Sequence, residues 1–463
     1  MTLNHANYQA RLDFIQNLLH KQFNLKEDAD ITPIQYDPSS PFKYNNFVYR
    51  ISLPSPITAA QALHNGPRQP GCVAIPHGTQ EFIFRLANPD AEGMHPATRI
   101  ENEVAIISLA AAALDGFVPH VVPSVYAWGS AATGRAPGWI LQELMPGTPL
   151  DDAFRGMDLP QKKNIFAQQA ALLKALQDYQ LPDSITGFGG VTFDDAGRIV
   201  SAAMPTVGVG PWPSYEASFK GRLEVALKRA DANPYIRGWR ANGVRERLDA
   251  FVEHGVPAQF ESLSSKQEKA IVHADFSKFY LLYLDAHVPS NPQPPTLTFN
   301  STITTYTATN NLLFDPPSQR LTALIDYDFA CILHPSHEFL RSFDGAGGQL
   351  RGWSDDAASQ ALTEAKLHGF PSPLPQPPTQ DGVVQWDVAH AWEDALEKGD
   401  VKRRPRTIAG IDKVADVDAV LRAILPWRLS NSDILRIQSE EVILKCRCES
   451  EERLVRMLGR LGV

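Results

Sequence analysis

Cysteine is scarce in this 463-residue chain: Cys72, Cys331, Cys446 and Cys448 are the whole complement. Four scattered thiols do not make a disulfide framework. Cys446 and Cys448 stand one residue apart with no second Cys/His pair nearby, so a zinc site is not expected. No run of about 18 apolar residues occurs, and no membrane span is expected. The opening MTLNHANYQARLDFIQ lacks a basic segment followed by an apolar one, so it does not read as a signal peptide. A reducing, cytoplasmic compartment is the resulting expectation. Positive charge is also short: 43 Lys and Arg against 52 Asp and Glu leave a formal net charge of −9. That balance argues against a nucleic-acid partner. It suits a cationic small molecule, and it suits plain solubility equally.

What is present is a globular composition, 43% hydrophobic and 21% charged, on a chain long enough for two lobes. Leu12, Ile15, Leu18 and Leu19 recur at helical spacing within 9–22. FVYRISL (Phe47 to Leu53) and EFIFRLA (Phe82 to Leu86) alternate as strands do. ENEVAIISLAAAAL (Glu101 to Leu114) reads as a helix. GWILQEL (Gly138 to Leu144) reads as a strand, broken by MPGTPLDD. Helices are then expected at 161–180, 214–231 and 242–253. Strand-like KAIVHADF, LLF and LTALIDYDFA follow, with a Pro-rich loop at 371–382. One or two helices from Ser432 to Leu461 would start at the cap candidates Ser432 and Asp433. The expected division is an N-terminal helical segment (1–40), a small lobe (41–145), a large lobe (146–350) and a helical extension (351–463).

Two segments carry chemistry. IVHADF brings His273 and Asp275, and LTALIDYDFA brings Asp326; each is a short apolar strand that delivers an Asp at its end. Phosphoryl transfer asks for a carboxylate to take the acceptor hydroxyl's proton and for hard oxygen ligands to Mg²⁺. A lone His-x-Asp is common, but His-x-Asp followed by Ile-Asp-Tyr-Asp, after a sheet-and-hinge pattern, is far more specific.

These motifs resemble the aminoglycoside phosphotransferase family, more closely its fungal branch, over roughly residues 40–350. The resemblance implies an α+β, bilobal protein-kinase-like fold and an ATP- and Mg²⁺-dependent transfer to a small-molecule hydroxyl. It implies Asp275 as the catalytic base, His273 as the residue orienting its loop, and Asp326 as a metal ligand. FIFRLANPDAEG resembles the strand that offers a cation to the ATP phosphates, here Arg85, and Glu103 resembles its helix partner. WILQELMPG, with Gln142, Glu143 and Met145, resembles the hinge that meets adenine. Asp328 reads equally as a second site acid or a solvated loop residue. Glu338 is expected to cap or pair within the large lobe, for example with Arg341. Glu216, Asp355 and Asp356 are the acids that could receive an amine on the acceptor. A protein kinase is the rival within the fold. Ala274 replaces the Arg of H-R-D, and 11 residues between Asp326 and Glu338 are too few for a peptide-docking segment. The alternative from another class is a non-catalytic relative.

Three departures stand out. Arg85 occupies a strand position expected to hold Lys, and the two are not interchangeable. The phosphate-covering loop PFKYNNFVYR contains no glycine, leaving Asn45 and Asn46 to supply its turn. The family pattern H-x-D-x-x-x-x-N falls on Tyr280 rather than Asn. Residues 277–308 are the reason. From Phe279 to Thr309 there is no Arg, Lys or Glu, and Asp285 is the only acid. Ser277-Lys278-Phe279 can be written with an intron-start sequence, and Thr307-Ala308 with an intron end. Splicing there would fuse the flanks into one Thr and restore the spacing, giving HADFTTNNLLFD. The stretch therefore reads as translated intron, with a genuine loop insertion as the alternative. Under either reading Asn311 is the expected metal-binding Asn.

Overall fold

The structure is a computed structural model. It describes the chain apart from residues 1–3, 24, 26, 35, 38–39, 59–67, 133, 135, 277–310, 345–346, 376–383 and 402–404. The atypical stretch 277–308, Tyr280 and part of the Pro-rich loop thus lie outside the described residues.

Two-residue alternation builds the small lobe. β2 (Asn46–Ser52) buries Phe47, Tyr49 and Ile51, and β3 (Glu81–Ala87) buries Phe82, Phe84 and Leu86. With β1 (Asp30–Pro33), β4 (Val125–Gly129) and β5 (Trp139–Glu143) they form one antiparallel sheet in the order β1-β2-β3-β5-β4. α1 (Tyr8–Phe23) lays Ile15, Leu19 and Phe23 on one face of it. Phe84 stacks on Trp139 there, with ring centroids 5.6 Å apart; truncating such a buried ring to Ala costs about 3–5 kcal/mol. The expected division at residue 40 therefore runs through a single sheet, because β1 is its edge strand. β1 and β4 were not expected: β1 is only half-buried and β4 carries a bulge, so neither alternates cleanly.

α2 (Pro96–Ala113) covers the other face. It starts five residues before the expected Glu101, because Pro96 opens a helix without needing its missing N–H. Adjacent residues on β5 divide between the faces: Leu141 joins the α1 cluster and Ile140 the α2 cluster. Beyond β5 the chain turns at Gly147, whose φ is +111°. A Cβ there would stand 2.4 Å from Thr322 Oγ1 and 3.0 Å from the Phe314 carbonyl, so only glycine lets the hinge pass this close.

The large lobe follows: β6 (Thr148–Pro149), α3 (Leu150–Phe154), α4 (Leu159–Asp178), β7 (Gly190–Phe193), β8 (Ile199–Ala202), α5 (Tyr215–Ala232), α6 (Val244–Ala250) and α7 (Val256–Phe260). A capping box of Asp158 and Gln161 starts α4, and Ser214 caps α5. Then come β9 (Ala270–Val272), β10 (Leu312–Asp315), β11 (Arg320–Leu324), β12 (Cys331–Leu333) and α8 (Ser336–Arg341). β9 pairs with β12, and β10 lies between β11 and β6.

The extension holds α9 (Ala357–His368), α10 (Trp386–Lys398), α11 (Ile411–Ile424), α12 (Trp427–Ser430), α13 (Ser432–Ile437) and α14 (Glu440–Arg460). It shares the large lobe's core: Trp392 meets Phe166 at 5.5 Å, and Trp239 Nε1 donates to the Ile424 carbonyl at 2.9 Å. The expected caps Ser432 and Asp433 do not cap. Asn431 accepts from Asp433 N and Ile434 N, and Ser439 starts α14. The Asp433 carboxylate is engaged elsewhere, on the main-chain N–H of Lys43.

Candidate active site

The catalytic-loop candidates leave the fully buried strand β9. His273 is buried, and its Nε2–H donates to the Ile325 carbonyl at 3.0 Å, which fixes the ring tautomer. Its ring leans on Tyr327 at 4.8 Å. Ala274 has φ +61° and turns the chain so that Asp275 follows at the surface of the cleft, 8% exposed. Asp326 has φ +62°. Left-handed backbone at a non-glycine residue costs about 1–3 kcal/mol, and here both instances sit at the two Asp-bearing turns.

What holds the first turn is Glu338, on α8. Its carboxylate accepts from His273 N at 2.6 Å and from Ala274 N at 3.0 Å, and Ser342 Oγ also bonds to it. Ser342 Oγ in turn accepts from Phe276 N at 2.9 Å. Burial pushes the Glu338 carboxyl up to about 7, against the pull of these donors. The expected pairing with Arg341 is replaced by this loop-holding role. Its position after Asp326, where the family has an acidic turn, was the available signal.

Asn311 lies just before β10 and donates from Nδ2 to the Asp275 carbonyl at 2.7 Å. Its own carbonyl accepts from Ile325 N at 2.8 Å. It therefore sits between the Asp275 turn and the Asp326 turn. Its neighbours in sequence, up to position 310, lie outside the described residues.

Above this floor stands a charged cluster from the small lobe. Arg85 on β3 is buried and pairs with Glu103 of α2; its Nη2 reaches Asp326 Oδ1 at 2.5 Å and lies 3.7 Å from Asp328 Oδ2. One helical turn before Glu103, Arg99 donates to both Asp328 oxygens at 2.9 and 3.0 Å. Asn46 Nδ2 adds a third bond to Asp328 at 2.6 Å, and Asn46 Oδ1 accepts from Arg99 at 3.1 Å. Burial works against the Asp328 charge, yet Arg99 and Arg85 hold its carboxyl below the usual range. Burial raises Glu103, to about 8, and raises Asp326 too, with Arg85 opposing both shifts. Asp328 is thus neither solvated nor free for a metal: two arginines and an asparagine use it. Arg99 was not singled out in the sequence, since a lone Arg at the start of a helix carries no motif.

Oxygens of Glu103, Asp326 and Asp328 lie within 4.8 Å of one another. Glu103 Oε2 is buried without a hydrogen-bond partner. This hard-oxygen donor set fits a small divalent cation such as Mg²⁺. With Asp328 committed to Arg99, the donors left for it are Asp326 and the amide oxygen of Asn311.

The other expected residues are placed as follows. Asn45 gives its carbonyl to Arg99 at 3.2 Å, and the Asn46 side chain is spent on Arg99 and Asp328, so the pair ties the lobes together. Gln142 and Met145 are buried at the hinge, and Glu143 Oε2 bonds His120 Nε2 at 2.9 Å and Ser124 N at 3.1 Å. Of the acids considered for an amine, Glu216 pairs with Lys220, Asp355 pairs with Arg456, and Asp356 caps α9.

A two-lobed fold with an antiparallel small-lobe sheet and paired Asp turns facing it is that of kinase-like phosphotransferases. The model of the phosphotransferase enzyme family APH matches residues 73–370, more than half of the chain, and the chain belongs to that family. Solved structures it is similar to include ADP-bound aminoglycoside phosphotransferase APH(2'')-Ib, at 11% identity with 96% of this chain and 98% of that chain covered, TM-score 0.45. Another is the streptomycin–ATP ternary complex of APH(2'')-IIa, at 12% identity, covering 96% and 97%, TM-score 0.45. A third is a thermostable mutant of APH(4)-Ia with ADP and hygromycin B, at 12% identity, covering 96% and 98%, TM-score 0.43. These likenesses are distant and add nothing to the family assignment. No curated protein is matched at a significant level. No described helix is long and apolar enough to cross a membrane.

Proposed function

We propose that this chain is an ATP-dependent phosphotransferase acting on the hydroxyl of a small molecule, in the cytoplasm, with Mg²⁺. The observation that carries the reading is the convergence of Asp275, Asn311 and Asp326 beneath the Arg85–Glu103 pair, although these residues come from four separate parts of the chain. Asp275 takes the proton of the acceptor hydroxyl as its oxygen bonds to the γ-phosphorus, and ADP leaves. His273 and Glu338 keep the Asp275 turn in its strained shape. Arg85 faces the phosphates, and the β5 hinge from Gln142 to Met145 meets the base. Asp326 and Asn311 would hold Mg²⁺, which neutralises phosphate charge when bound. The acids proposed for a cationic acceptor are occupied by other partners, so the acceptor's charge draws no support from them.

A second reading, a non-catalytic relative, is favoured by one observation: Arg85 bonds Asp326 directly, which neutralises the carboxylate assigned to the metal. Two measurements separate the readings. A thermal shift with Mg-ATP is expected for the first and not for the second. Asp275→Asn should keep that shift and lower turnover of a γ-labelled ATP acceptor screen by about 10²–10⁴-fold. Near-full activity in Asp275→Asn would remove Asp275 from the mechanism.

A further inference from the structure

The loop between β1 and β2 faces the Asp turns, and it has no glycine between Pro41 and Asn46. Such a loop has no backbone hydrogen-bond ladder of its own, so its polar groups must find side chains. Asn4 takes two of them: its Nδ2 donates to the Phe42 carbonyl at 2.7 Å, and its Oδ1 accepts from Tyr44 N at 3.1 Å. Asn88 takes two more, the Tyr44 carbonyl at 2.7 Å and the Asn45 carbonyl at 3.0 Å.

The remaining ties come from the far end of the chain. Asp433 Oδ2 accepts from Lys43 N at 2.8 Å, across a separation of 390 residues. Arg436 Nη2 donates to the Pro41 carbonyl at 2.8 Å, and Lys43 Nζ donates to Ser432 Oγ at 2.9 Å. The Phe42 ring lies 5.7 Å from Trp427. Glu92, just beyond β3, closes the group by accepting from Ser432 N at 3.1 Å and from Lys43 Nζ at 3.2 Å. Asp433 is 3% exposed, so its carboxylate has left water for these contacts. A carboxylate is buried at this modest depth only where donors replace its hydration.

We infer that segment 427–436 is a strap that fixes the nucleotide-covering loop, and that Asp433 is its positioning residue. Glycine-rich covering loops are free to flex over a nucleotide. This one is held in shape by a second part of the chain. The strap joins α11 of the large lobe, through α12 and α13, to the small lobe on the outer side of the loop. The inference rests on the reading of that loop as nucleotide-covering, so the test has one arm that does not depend on nucleotide.

The test uses the full chain with Asp433→Ala and Asp433→Asn. Without nucleotide, amide exchange at residues 41–46 should speed up about tenfold in Asp433→Ala, with β3 and α14 unchanged. In the same variant the KM for ATP should rise about tenfold while kcat stays within about twofold, because the loop grips nucleotide and does no chemistry. Asp433→Asn keeps an acceptor for Lys43 N and should recover most of both effects. Unchanged exchange at 41–46 in Asp433→Ala overturns the strap. Tighter ATP binding in Asp433→Ala overturns it as well, by making Asp433 a competitor for the loop rather than its support. Faster exchange in Asp433→Ala, with no ATP binding in the wild-type chain, supports the strap and sinks the nucleotide reading instead.

Discussion

The two loops that face each other across the cleft are held in opposite ways. The Asp275 turn hangs from one buried carboxylate, Glu338, and its helix neighbour Ser342. The loop at 41–46 is held by many partners: Asn4, Asn88, Arg99, Asp433 and Arg436. A single buried support gives precision and fails all at once. A distributed, half-exposed support fails a tie at a time, which suits a segment that must admit and release a ligand.

The largest effect should come from breaking the single support. Glu338→Ala leaves the buried N–H groups of His273 and Ala274 without their acceptor, at about 1–3 kcal/mol each. It should lower Tm by many degrees and abolish activity together. A Tm within a degree or two of wild type would show that the turn holds itself. Next comes Arg85, the junction of the two sides. Arg85→Ala strands Glu103 in the interior and should cost about 3–5 kcal/mol, with a raised KM for ATP. Arg85→Lys keeps a cation for Glu103 but lacks the fork that also reaches Asp326, so it should keep or improve ATP use. Normal ATP kinetics in Arg85→Ala would mean β3 does not face the phosphates.

A smaller effect concerns pH. Burial holds the Glu338 carboxyl at about 7 in the folded chain, above its ordinary 4.5. The folded form therefore keeps the proton that the unfolded form releases, and this contribution to stability falls as pH rises from about 4.5 to about 7. Glu338→Gln has no proton to lose. The stability of the wild type relative to Glu338→Gln should therefore decline across that window, as read from paired denaturant titrations. A constant difference would count against the shift. The smallest effect is expected where the sequence is strangest. Replacing 277–308 by one threonine should leave Tm nearly unchanged, because Asn311 already bonds Asp275 directly. It should tighten Mg-ATP binding, and a loss of folding on replacement would make the stretch a working part of the protein. Sequencing mature transcripts decides between translated intron and inserted loop.

Much of this site was legible because its chemistry sits in short motifs. His273, Asp275 and Asp326 could be found by residue type and by the apolar strands that deliver them. Asn311 could be found only by treating 277–308 as an interruption. Arg99, Asp433 and Asn4 were invisible, since each acts on a partner remote in sequence and none belongs to a pattern. The strands with clean alternation, β2, β3 and β5, were readable. β1, β4 and the β7–β8 hairpin were not, because they are short, half-buried or bulged. The three long helices of the extension were legible only as a helical region.

Asn102 of α2 is buried between the lobes: its Nδ2 donates to the Ala330 carbonyl and its Oδ1 accepts from Val191 N, both at 2.9 Å. Two such bonds make α2 a passenger of the large lobe, although it packs under the small-lobe sheet. When the sheet swings open, α2 stays behind. The line of separation then runs between β3 and α2, straight through Arg85 and Glu103. Opening the jaw and parting that ion pair become one movement, so every cycle of ligand exchange would pass through a moment in which the guanidinium has let go of its helix.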